Sequence, residues 1–140
     1  MSFYNVANQP NFQVIDLARK PLAPFSQMAH VQSTQLFTAA TTLTAEQVVA
    51  GAIVYSGAAV TLTLPTAATL LQLLQSGAYA SQQFGVGDFL LLKVSNIGAN
   101  TVTISSGSTA STRAFATLTN GLVTIKFTNV TAGSEAYTIY

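Results

Sequence analysis

From Leu122 to Val130 the chain alternates, with Val123, Ile125 and Phe127 on one side and Thr124, Lys126 and Thr128 on the other. A period of two sends successive side chains to opposite faces of an extended strand, so this pattern specifies a strand with one buried face. The same alternation recurs at Thr101–Ser105, with Val102 and Ile104 inward, and at Ala59–Leu64, with Val60, Leu62 and Leu64 inward. Threonine supplies most of the outward positions. Its β-branched side chain suits a strand for the same χ1 reason as valine, and its hydroxyl makes the outer face polar without charge.

Turn residues divide the rest of the chain into further short elements. Val31–Ala39 reads as an edge-like strand, and Ala52–Ser56 as a strand that turns at Ser56-Gly57-Ala58 into Ala59–Leu64. Asp88–Ser95 carries the apolar run Phe89-Leu90-Leu91-Leu92, which predicts burial on both faces at its centre. Asn96–Asn100 reads as a turn and Ser106–Ser111 as a polar loop. Arg113–Leu118 and Leu122–Val130 read as a hairpin turning at Thr119-Asn120-Gly121, because an Asn-Gly pair tolerates positive φ. Ala136–Tyr140 closes the chain as a last strand.

Two short helices interrupt this pattern. Thr44 and Gln47 have the spacing of a capping box, which starts a helix that Gly51 stops. Thr66 caps a second helix over Ala67–Gln75, where Leu70, Leu71 and Leu74 share a stripe. Short strands with turn signals between them predict an all-β domain with one or two short helices, a jelly-roll-like β-sandwich. No internal repeat is evident in the sequence.

The surface of such a domain is unusual in one respect. Charged residues make up 6% of the 140-residue chain, against about 25% in a typical soluble domain. Few charges fit a surface covered by hydroxyls and amides, and also one covered by other protein, since interface centres are depleted of charge. The second reading points to an obligate oligomer or a shell component. Net charge is +1, and Arg19-Lys20 is the only adjacent basic pair, so a nucleic-acid footprint is not expected. No apolar run approaches the roughly 20 residues of a membrane-spanning helix. Met1–Phe12 lacks the basic-then-apolar pattern of a secretory signal.

Residues 1–30 differ from residues 31–140. They hold three of the four prolines (Pro10, Pro21 and Pro24) and sustain no period. They are expected to form an extended N-terminal arm in front of the sandwich domain, with Phe3, Tyr4, Phe12, Arg19, Lys20 and Phe25 as its contact residues.

Signals for chemistry are sparse. With no cysteine, disulfides, thiolate metal sites and thiol nucleophiles are excluded. His30 is the only histidine and reads as a loop residue at the arm–domain junction. The carboxylates Asp16, Glu46, Asp88 and Glu135 show no spacing that would bring them together. No nucleophile elbow or phosphate-cradling glycine loop occurs. The expectation is a non-enzyme without cofactor, catalytic residue or metal.

Several motifs carry a resemblance. They are Leu43-Thr44-Ala45-Glu46-Gln47-Val48-Val49-Ala50-Gly51, Thr63-Leu64-Pro65-Thr66-Ala67-Ala68, Gly87-Asp88-Phe89, Asn96 and Thr101-Val102-Thr103-Ile104. Across residues 42–105 the chain resembles small β-rich proteins of tailed bacteriophages and related viruses, namely head-decoration (cement) proteins and head-fibre or tail-fibre modules. The resemblance implies a homotrimer on the outer surface of a virion, with the major capsid protein as partner. The expected function is to bind and stabilise the capsid lattice, its arms running across neighbouring subunits. The alternative it implies is a fibre-tip, receptor-binding domain that recognises a host glycan. The motifs are structural signals and carry over no catalytic residue.

Overall fold

The structure is a computed structural model, and it describes residues 35–76 and 83–140. These residues belong to one compact unit, 33–140. The expected arm lies outside them, as do His30 and the beginning of the expected Val31–Ala39 strand.

The fold is mostly β, with 44% strand, two short helices and two mixed sheets. In chain order the elements are β1 (Gln35–Phe37), β2 (Thr41–Thr42), α1 (Ala45–Val49), β3 (Ala52–Tyr55), β4 (Val60–Thr63), α2 (Ala67–Leu74), β5 (Phe89–Asn96), β6 (Val102–Ser105), β7 (Thr112–Phe115), β8 (Thr119–Asn129) and β9 (Ala136–Ile139). The first sheet has the order β9-β8-β5-β3-β1 and the second β2-β4-β6-β7. Side chains from both sheets meet in one core. Ile53, Tyr55, Leu92, Val94, Val123, Ile125 and Phe127 of the first sheet share it with Leu62, Val102 and Ile104 of the second. Each large side chain removed from water there contributes about 1.5–3 kcal/mol.

Both helices form where the caps place them. The Thr44 hydroxyl accepts from Gln47 N at 3.2 Å, and Thr44 N donates to the Gln47 side chain at 2.8 Å, which completes the capping box. The Thr66 hydroxyl accepts from Thr69 N at 3.2 Å. Ala67, Leu70, Leu71 and Leu74 of α2 are buried, as their stripe predicts. Gly51 adopts φ 87, the left-handed conformation that stops α1.

The connectivity holds the main departure from expectation. A jelly roll is an antiparallel architecture, whereas β1–β3, β3–β5, β2–β4 and β4–β6 all pair in parallel. The chain visits the first sheet and then the second three times, as β1–β2, β3–β4 and β5–β6. Each visit stacks in parallel on the one before. α1 and α2 carry the chain back after the first two visits. The domain therefore contains an internal repeat of coil-like turns, finished by the antiparallel strands β7, β8 and β9. Its trace in the sequence is short: Thr42-Leu43-Thr44-Ala45 corresponds to Thr63-Leu64-Pro65-Thr66-Ala67. Thr42 pairs with Thr63, and both leucines are buried.

Two local expectations also change. Thr119, Asn120 and Gly121 lie inside the 11-residue β8 and not in a turn. The turn falls just before them, and Leu118 takes the positive φ of 55. Gly121 serves close packing instead. A Cβ there would stand 2.6 Å from Cε1 of the Phe115 ring, so glycine lets that ring cross the β8 backbone. The second change concerns β5, which is buried on one face only. Leu92, Val94 and Asn96 point inward, and Phe89, Leu91 and Lys93 are exposed. Among the described residues the edge strands are short: β1 has 3 residues, β2 has 2, and β7 and β9 have 4 each.

Candidate docking face

The outer surface of the first sheet follows from register. Facing pairs across β8 and β5 are Lys126 with Phe89, Thr124 with Leu91, Leu122 with Lys93, and Asn120 with Ser95. Beside them stand Thr138 of β9, Ala52 and Val54 of β3, and Leu36 of β1. Phe89 is 56% exposed, Leu91 47%, Leu122 50% and Leu36 60%. Phe89 and Leu91 are two positions apart on one strand and Leu91 is diagonal to Leu122, so these three side chains are neighbours, while Leu36 stands two strands away from β5. Beyond the paired ends of β5 and β8, Ile97 and Leu118 are exposed as well. Both helices bury their apolar residues in the shared core, so neither covers this face.

Among the described residues Lys93 and Lys126 are the only charged side chains of this face, and none of its side chains is a carboxylate. They lie on neighbouring strands, four residue positions apart along the ladder, or roughly 14 Å between backbones. The carboxylates of the described residues lie elsewhere. Asp88 accepts from Gly85 N at 2.8 Å and Glu135 from Gly133 N at 2.8 Å, each closing a loop. Glu46 sits in the first turn of α1, where its charge favours the helix dipole.

The polar groups buried in the domain hold its loops together. The Asn96 amide donates to the carbonyls of Asn100 (2.7 Å), Phe115 (3.0 Å) and Ala116 (2.9 Å), and its Oδ1 accepts from Gly98 N at 3.0 Å. The Tyr137 hydroxyl donates to Pro65 O at 2.6 Å and accepts from Gly107 N at 2.9 Å. Burial pushes the Tyr137 phenol above its ordinary value of 10.0, because the phenolate would be poorly solvated there.

A shallow groove of about 710 Å³ runs beside the starts of α1 and α2, lined by Thr42, Thr44, Glu46, Thr66, Gln72 and Ser76 among others. Its described lining has no aromatic side chain on which a sugar ring could stack. Among the described residues no three His, Asp or Glu side chains group in a way that would hold a metal ion, and no helix is long and apolar enough to cross a membrane. Phe3, Tyr4, Phe12, Arg19, Lys20, Phe25, Asp16 and His30 lie outside the described residues. The patch on β5 and β8 was not among the residues singled out from sequence. Its signal was present in the apolar run at Phe89–Leu92, which reads equally well as a strand covered on both sides.

No family model, no curated protein and no solved structure matches the chain.

Proposed function

We propose that the chain is a structural virion protein, a capsid decoration or cement protein that binds the major capsid protein lattice as a trimer. The observation that carries this reading is the exposed apolar face of the first sheet on a domain with very little charge. Exposed contiguous apolar surface marks a site of protein association. The motif resemblance over residues 42–105 names the kind of assembly. The two sheets would form a sandwich whose outer face lies against the shell, with the arm at residues 1–30 reaching adjacent subunits. Many weak contacts repeated over a lattice add up through avidity, and a protein that ties neighbouring capsomers resists the outward push of a packed genome.

The test is to mix the purified full-length chain with shells of the source virus from which it has been stripped. Cosedimentation at a fixed number of copies per capsomer, with a higher shell disassembly temperature, is the expected result. A glycan-array signal without any shell binding would transfer the assignment to the fibre-tip alternative.

A further inference from the structure

Three features offer themselves beyond this reading. Among the described residues the groove beside the helix starts has no aromatic platform, so nothing there points to a ligand. The hydrogen-bond networks of Asn96 and Tyr137 find their partners within the domain. The outer face of the first sheet remains, and its charge pattern says what covers it.

We propose that this face docks a protein surface whose apolar residues are flanked by carboxylates, with Phe89, Leu91 and Leu122 as the apolar contacts and Lys93 and Lys126 as the paired charges. The inference rests on the virion reading, in which the partner is the shell protein. Two lysines sit on opposite strands and bracket the Leu91–Thr124 pair. A partner that covers the apolar centre takes water from both ammonium groups, and a charge losing water needs an opposite charge close by. The described side chains do not supply one on this face. Among the described side chains, packing two copies face to face would bring together four lysines and no carboxylate, so a second copy of the same surface is the poorer occupant. Electrostatic complementarity of this kind sets the register and speeds encounter, while the apolar centre supplies the holding contact.

The test uses the full-length chain and stripped shells, first at about 50 mM and then at about 500 mM salt, where exposed charge pairs are screened. Wild-type binding is expected to weaken at least tenfold over that range. The double variant Lys93→Glu/Lys126→Glu is expected to lose binding at least tenfold at low salt. Thr61→Glu, on the exposed side of the second sheet, is expected to bind as wild type. Thr61, Lys93 and Lys126 are all exposed, and a thermal melt checks that each variant folds. Wild type that fails to bind shells overturns the virion reading and this inference with it. Wild type that binds while the double variant binds equally well overturns the face alone. A native mass that drops in the double variant would assign the face to a second copy, which also overturns the proposal.

Discussion

At the scale of single residues, the buried polar side chains act as staples. Tyr137 of β9 reaches across to Pro65 O and Gly107 N, joining the end of the chain to the segment before α2 and to the loop after β6. Tyr137→Phe leaves both backbone groups without that partner and is expected to cost about 1–3 kcal/mol in urea unfolding. Its pH signature follows from linkage. The folded phenol has a raised pKa, so its contribution is complete below the ordinary value and is lost as pH climbs through the raised one. Wild type should therefore lose stability as pH rises above about 10 more steeply than the phenylalanine variant. Leu118 presents the opposite case. It is 72% exposed and holds φ 55, a conformation that costs an L-residue with a bulky side chain roughly 1 kcal/mol or more. Leu118→Asn should raise the unfolding midpoint, by a free energy of up to about 1 kcal/mol. None of this was legible in the sequence. Asn96 reads as a turn residue because asparagine favours turns, and only the fold shows that its side chain is buried among the carbonyls of a distant loop. Asn-Gly at 120–121 reads as a hairpin because local chemistry cannot reveal that Phe115 will lie over Gly121.

At the scale of elements, the sequence was more informative. Strand faces follow from alternation: Val123, Ile125 and Phe127 are buried, as are Val102 and Ile104. Helix starts follow from capping, because a cap is made by residues within one turn of each other. Thr66→Ala removes the acceptor for Thr69 N and is expected to destabilise the domain by about 1 kcal/mol, read from the shift in thermal or urea midpoint. What alternation does not carry is pairing. The parallel coils escaped notice because their turns differ in length, so residues that face each other, such as Thr42 and Thr63 or Leu62 and Ile104, recur at no fixed interval. The exposed side of β5 differs from expectation for a related reason. A leucine at position 91 is apolar whether a second layer covers it or a partner does, and sequence period cannot tell the two apart.

At the scale of the whole molecule, the scarcity of charge has a location. The described carboxylates are spent on loops and a helix start, and the first sheet presents apolar side chains with two lysines to the outside. If the trimer forms through other surfaces, as the virion reading requires, the native mass of the purified chain should be three times 14.6 kDa. It should not change in Lys93→Glu/Lys126→Glu. Mass measurement by light scattering at several concentrations checks both statements, and a concentration-independent monomer would remove the oligomer from the account.

The edge strands bear on self-association. A domain with exposed apolar side chains risks joining its own kind into fibres. Open sheet edges are the usual template for that growth. Here the long strands, β5 with 8 residues and β8 with 11, lie inside the first sheet, and among the described residues no edge strand exceeds 4. An edge so brief offers an incoming strand only a few hydrogen bonds, too little to seed a growing stack. The described edges therefore make the domain a poor template for stacking on itself, although apolar side chains are exposed on the first sheet.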